Sequence, residues 1–106
     1  MMPLKDPSEY LFFLRAMTAS EAKRMWRASI KEYWNNQCAY CGSSDNLTLD
    51  HVHPKTKGGH DTTHNVVPAC RSCNQSKGSN HWLSWWVGQD YFDLSNFSKV
   101  LSWTTS

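Results

Sequence analysis

Residues 38–77 read C-A-Y-C-G-S-S-D-N-L-T-L-D-H-V-H-P-K-T-K-G-G-H-D-T-T-H-N-V-V-P-A-C-R-S-C-N-Q-S-K. Two Cys-x-x-Cys pairs, Cys38/Cys41 and Cys70/Cys73, bracket this stretch and hold all four cysteines of the chain. Thiolates separated by two residues can face one ion, and a glycine or asparagine directly after the pair, here Gly42 and Asn74, suits the tight turn. Two such pairs supply the tetrahedral four-sulfur set that structural zinc prefers. A single pair would leave buried free thiols or a redox couple as equal readings; the duplicated pair points to zinc. The spacer, residues 42–69, exceeds the roughly 15–20 residues of an ordinary zinc ribbon. A four-thiolate site has no open coordination position, so any chemistry must come from what lies between the knuckles.

Within the spacer, Leu47 and Leu49 alternate with polar residues up to Asp50-His51, a short strand. Lys57-Gly58-Gly59 is a turn, and Asn65-Val66-Val67 begins a return strand. Pro68 is expected to limit further pairing, because it has no amide hydrogen to donate. A short helix follows from Arg71 and stops near Gly78. Neighbouring strand residues point to opposite sides, so Asp50 and His51 can serve one phosphate only if the strand end twists or the DNA wraps the site.

This stretch resembles the HNH nuclease family, in which an Asp-His pair ends one strand, an Asn starts the next, and a His or Asn stands on the following helix. Asp50-His51, Asn65 and Asn74 occupy those places, and the cysteine pairs match the family's zinc-bearing branch. The resemblance implies an α+β fold: a ββα-metal core around a structural Zn²⁺, flanked by N- and C-terminal helices. It also implies endonucleolytic cleavage of double-stranded DNA. His51 would be the general base, Asp50 and Asn74 would hold a catalytic Mg²⁺ or Mn²⁺, and Asn65 would brace the loop that aims His51. Phosphodiester hydrolysis needs a deprotonated water and charge relief on the departing 3′ oxygen. A neutral imidazole can take the proton at physiological pH, and a divalent ion can relieve the charge. Asn74 stands where many members have His, and an oxygen-only pair suits Mg²⁺ or Mn²⁺. Taken singly, Asp50 would be read as a turn cap and His51 as a satisfied imidazole.

Outward from this core, the chain divides into an N-terminal helical arm (1–36), the core (37–79) and a Trp-rich helical extension (80–106), together one domain. Residues 8–17 are expected to form a short helix. A longer one begins at Thr18 with a T-x-x-E capping box ending at Glu21. Ala22, Met25, Trp26, Ile30, Tyr33 and Trp34 recur on one face of it, while Lys23, Arg24, Arg27 and Lys31 lie elsewhere on its circumference. That basic face is a candidate DNA-backbone contact, as are Lys55, Lys57 and Lys77 around the core; plain solvation is the alternative. His53, His60 and His64 read as surface loop residues. The spacing of Trp82, Trp85 and Trp86 favours burial, and Trp86, Gln89 and Phe92 resemble the tail of small HNH proteins of phages and cyanobacteria.

The 106 residues carry a formal net charge of +2 and 19% charged side chains, too mild a balance to single out a nucleic-acid partner by composition. Leu11–Leu14 is too short an apolar run for a signal core or a membrane span. A cytoplasmic setting in a bacterial host is expected, where paired cysteines hold metal rather than disulfides. The expected role is a free-standing phage homing endonuclease, monomeric or homodimeric. The alternatives are a phage-packaging or restriction-type nuclease, and a non-catalytic zinc-ribbon module.

Overall fold

Thr18 opens the longest helix by accepting a hydrogen bond from the Glu21 amide through its side chain, which satisfies one of the free amides of the first turn. In the computed structural model, which describes residues 2–13 and 18–106, this helix is α2 (Ala19–Tyr33), preceded by α1 (Pro7–Phe13). The part of the first expected helix at residues 14–17 lies outside the described residues. Ala22, Trp26 and Ile30 face inward along α2, while Lys23, Arg24 and Arg27 are exposed. Asn35 and Asn36 end the element with φ of 57° and 54°, a left-handed conformation that asparagine tolerates better than most residues.

Strands β1 (Leu47–His51) and β2 (Val66–Cys70) form an antiparallel pair with Leu47 opposite Cys70 and His51 opposite Val66. The expectation for Pro68 is corrected here, because pairing runs through it, opposite Leu49, as far as Cys70. The Pro68 carbonyl accepts from the Ala39 amide. In a strand a residue's N and C=O point the same way, so Pro68 turns its backbone polar groups away from β1 and no ladder bond is lost. Every residue of β2 is buried.

Helix α3 (Arg71–Lys77) follows β2 directly and is stopped by Gly78 at φ 53°. The strand–strand–helix order is that expected of the core. Two further helices, α4 (Trp82–Trp86) and α5 (Leu94–Thr104), close over it. Trp82, Trp85 and Trp86 are buried, as their spacing predicts, and Trp103 on α5 is buried with them. Each such ring takes roughly 150–250 Å² out of water. Their polar edges are used as well: Trp103 Nε1 donates to the Val66 carbonyl at 2.9 Å and Trp85 Nε1 to Ser76 Oγ at 2.9 Å. From the other side Trp26 Nε1 donates to Thr63 Oγ1 at 2.9 Å. Arm, core and tail thus share one hydrophobic interior. No helix of the described residues is long and apolar enough to cross a membrane.

Candidate active site and metal centre

The four cysteine Sγ atoms lie within 4.8 Å of one another. Cys41 and Cys70 Sγ are 3.6 Å apart. A tetrahedron with metal–sulfur bonds of about 2.3 Å has edges of about 3.8 Å, whereas a disulfide would need about 2.05 Å. Backbone amides already point at the sulfurs: Tyr40 and Cys41 N–H donate to Cys38 Sγ, and Cys73 N–H donates to Cys70 Sγ. Hydrogen bonding with the Cys73 side chain and with the amides of Cys41, Cys70 and Tyr40 holds the Cys38 thiol down to about 5, against burial. Burial pushes Cys41 up to about 11. Four thiolates within 4.8 Å of one another repel, so the set ionises fully only around a cation. The donor set, its spacing and its amides fit a bound metal ion.

The knuckle also reaches the candidate catalytic residues. Tyr40, between the two cysteines of the first pair, is fully buried and donates its hydroxyl to Asp50 Oδ2 at 2.7 Å. Burial, with the Asp50 charge beside it, drives the phenol well above its ordinary value, so it stays a donor. Trp85 and Trp86 stand edge-on to the Tyr40 ring, at 5.1 and 5.0 Å. The tail therefore props the residue that props Asp50.

Lys77 is completely buried. Its Nζ lies 3.2 Å from Asp50 Oδ2 and 3.3 Å from Oδ1, and donates to the His51 carbonyl at 3.1 Å. This corrects the placement of Lys77 among surface lysines free to meet DNA. Its position in the last turn of α3 carries it under the strand end, where only a carboxylate partner makes a buried ammonium tolerable. Burial raises the Asp50 carboxyl above its ordinary value even though Lys77 and Tyr40 pull it down.

Asn74, one turn before Lys77, donates through Nδ2 to Thr48 Oγ1 at 2.8 Å and to the Leu49 carbonyl at 3.3 Å. Among the described residues these hydrogen bonds engage Nδ2 alone, and Oδ1 is the atom able to meet a cation. A carboxylate offers about four lone-pair sites. Tyr40 and Lys77 engage three at Asp50, which leaves capacity on Oδ1. Both residues border the same cleft, and a carboxylate with an amide oxygen is a donor set that suits a hard divalent ion, with the Lys77 charge working against tight binding.

His51 closes β1 and turns the other way. Its Nε2 lies 2.7 Å from Asp61 Oδ1, and Lys55 Nζ is 3.9 Å from Asp61 Oδ2. Burial alone would raise Asp61, but His51, Lys55 and Lys23 outweigh it and hold the carboxyl below its ordinary value. The sequence reading assigned Asp61 no part, and nothing in its local sequence marks it.

Asn65 is buried and fastens the loop between the strands. Its Oδ1 accepts from the His53 amide at 3.0 Å, and its Nδ2 donates to the carbonyls of His53 at 3.1 Å and His60 at 2.8 Å. Both ends of the 53–60 segment are tied to one side chain. Gly59 sits against the same segment so closely that a Cβ there would lie 1.7 Å from the His53 carbonyl oxygen.

Asp50, His51 and Asn74, with Pro54, Lys55 and Gly78, line one shallow cleft of about 290 Å³. Asp50 and His51, neighbours at the end of β1, both border it. Lys55 and Lys57 are exposed nearby. A separate hollow of about 280 Å³ is bounded by His53, His60, His64 and Asn65, and His64 Nδ1 pairs with the Trp103 carbonyl at 2.9 Å. Lys23, Arg24, Arg27 and Lys31 border a third, on α2.

Residues 38–82 match the family model for HNH endonuclease. Over 65 residues the chain is 40% identical to the CRISPR-associated endonuclease Cas9 of Corynebacterium diphtheriae, covering 58% of this chain and 6% of that protein. Over 86 residues it is 31% identical to YoqL, an SPbeta prophage-derived protein of Bacillus subtilis named as an HNH endonuclease, covering 69% of this chain and 37% of YoqL. The chain therefore spans well under half the length of these relatives. Its fold is similar to part of the crystal structure of the Type II-C Cas9 enzyme from Actinomyces naeslundii, with a TM-score of 0.57 and 20% identity over 74% of this chain and 10% of that one. Through the stretch bounded by its two cysteine pairs, and carrying Asp50-His51, Asn65 and Asn74, this chain belongs to the HNH endonuclease family.

Proposed function

We propose that this chain is a metal-dependent endonuclease that hydrolyses phosphodiester bonds in double-stranded DNA, leaving 5′-phosphate and 3′-hydroxyl ends. The observation that carries the reading is the single cleft shared by Asp50, His51 and Asn74. His51 takes the proton of the attacking water. Asp50 and Asn74 offer the oxygens for Mg²⁺ or Mn²⁺, which when bound supplies charge relief at the departing 3′ oxygen. Lys77 and Tyr40 hold Asp50 in place, and Asn65 holds the loop over His51. The four cysteines hold structural Zn²⁺. Lys23, Arg24, Arg27 and Lys31, with Lys55 and Lys57, meet the phosphate backbone.

One cleft cuts one strand, so a monomer nicks, and a double-strand break takes a homodimer or two binding events. The likeness to a prophage-derived relative supports a phage setting; within it the role proposed is a homing endonuclease acting in the bacterial cytoplasm, with a packaging or restriction role as the alternative. Supercoiled-plasmid nicking with Mg²⁺, with and without chelator, tests the activity. His51→Ala should lose about 10²–10⁴ in rate while keeping metal and DNA binding. Asn74→Ala should weaken apparent Mg²⁺ affinity and recover part of its rate at raised Mg²⁺. The absence of nicking by the wild-type protein at any Mg²⁺ or Mn²⁺ concentration would leave a non-catalytic zinc module. Mg²⁺ rescue of His51→Ala but not of Asn74→Ala would reverse the two roles.

A further inference from the structure

We infer that Asp61 is a positioning residue for His51, and that it makes Nδ1 of His51 the proton-accepting atom; the inference rests on the nuclease reading above. The geometry is direct. His51 Nε2 and Asp61 Oδ1 are 2.7 Å apart, within charge-assisted hydrogen-bond range. An ionised carboxylate can only accept, so the bond requires Nε2 to carry its hydrogen. A neutral ring protonated at Nε2 has its lone pair on Nδ1, and Nδ1 becomes the base.

Three further observations make this pair a built feature rather than a chance surface contact. Asp61 follows His60, whose carbonyl is anchored by Asn65 Nδ2 at 2.8 Å, and the same Asn65 side chain anchors both backbone groups of His53, two residues beyond His51. The two partners are thereby held at a set separation by one buried residue. Lys55 stands 3.9 Å from the second carboxylate oxygen, and its charge, with that of Lys23 on α2, favours the ionised form that the bond needs. Finally, the His51 side chain is only 26% exposed, so water has limited access to compete for the ring.

The consequence for the reaction is specific. As the water oxygen bonds to phosphorus and the bond from phosphorus to the 3′ oxygen breaks, the water's proton passes to Nδ1, and the 3′ oxygen takes a proton from solvent. The ring is then cationic and protonated on both nitrogens, and Asp61 faces the resulting charge across an existing hydrogen bond. A carboxylate in this position fixes the tautomer and stabilises the imidazolium without itself accepting the proton.

The test compares Asp61→Asn, Asp61→Ala and Asp61→Glu in the full chain, with ¹⁵N NMR of the His51 ring beside nicking kinetics. An amide can donate to Nε2 and so favour the opposite tautomer. Asp61→Asn should therefore lose about 10²–10⁴ in kcat with KM and Mg²⁺ dependence unchanged, and its ring should shift toward Nδ1–H. Asp61→Ala should lose less and show mixed tautomers, and Asp61→Glu should restore part of kcat and the Nε2–H signature. Asp61→Asn with wild-type kcat, a loss confined to KM, or a ring whose tautomer ignores all three substitutions would overturn the assignment. A wild-type protein that fails to nick would sink the nuclease reading, while the NMR comparison would still decide whether Asp61 sets the tautomer.

Discussion

Lys77 Nζ rests 3.2 Å from Asp50 Oδ2 with neither side chain more than 6% exposed, so the floor of the cleft is a buried ion pair. Breaking one side of such a pair strands the other charge, which typically costs about 3–5 kcal/mol. Lys77→Met should lower the unfolding free energy by that amount in urea titration. Lys77→Gln should leave the salt dependence of DNA binding unaltered, since the ammonium is not available to phosphate. A Lys77→Met protein as stable as wild type, or a shallower salt slope for Lys77→Gln, would place this lysine at the surface after all.

The loop over His51 depends on Asn65 and Gly59. Asn65→Ala removes the partner of three backbone groups, at about 1–3 kcal/mol for groups left unsatisfied. His53 and His60 are themselves exposed, so water offsets part of this and the low end is expected. Gly59→Ala forces a Cβ into the His53 carbonyl and should cost about 1–3 kcal/mol through backbone displacement. Both should slow nicking more than they weaken DNA binding. Unchanged nicking rates with measurable destabilisation would show that loop position does not govern His51.

The thiolate cluster predicts one zinc per chain, tightly held. Cys38→Ser or Cys70→Ser should lose the metal and with it the fold, because structural zinc supplies much of a small domain's stability. Elemental analysis and circular dichroism on the same preparations check both at once. A folded, zinc-free wild-type protein would contradict it. Mild chelation that spares this zinc should still abolish nicking until Mg²⁺ or Mn²⁺ is returned.

On α2, replacing Lys23, Arg24, Arg27 and Lys31 by Gln should weaken DNA binding without loss of fold. Each phosphate contact removed should reduce the slope of log affinity against log salt by about 1. An unchanged slope would make this a merely solvated face.

Local regularities were legible in the chain itself. The cysteine spacing, the Thr18 cap, the alternation of Leu47 and Leu49, the stop at Gly78 and the three- and four-residue recurrence of tryptophan each express a short-range rule: ligand geometry, an unpaired amide, or the period of a strand or helix. From these the order of elements could be read, whereas the candidate residues Asp50, His51, Asn65 and Asn74 were singled out by the resemblance to the HNH family. The tertiary structure decided who faces whom. Lys77 meets Asp50 across 27 residues and His51 meets Asp61 across ten, and no periodicity encodes either pairing. Lys77 at the end of a helix reads as a solvated lysine until another element delivers a carboxylate beneath it. Pro68 reads as a strand breaker until the fold turns its backbone toward Ala39. Whether a charged or hydrogen-bonding group is buried depends on the partner that compensates its lost hydration, and that partner is set by the packing of distant segments, not by the residues on either side.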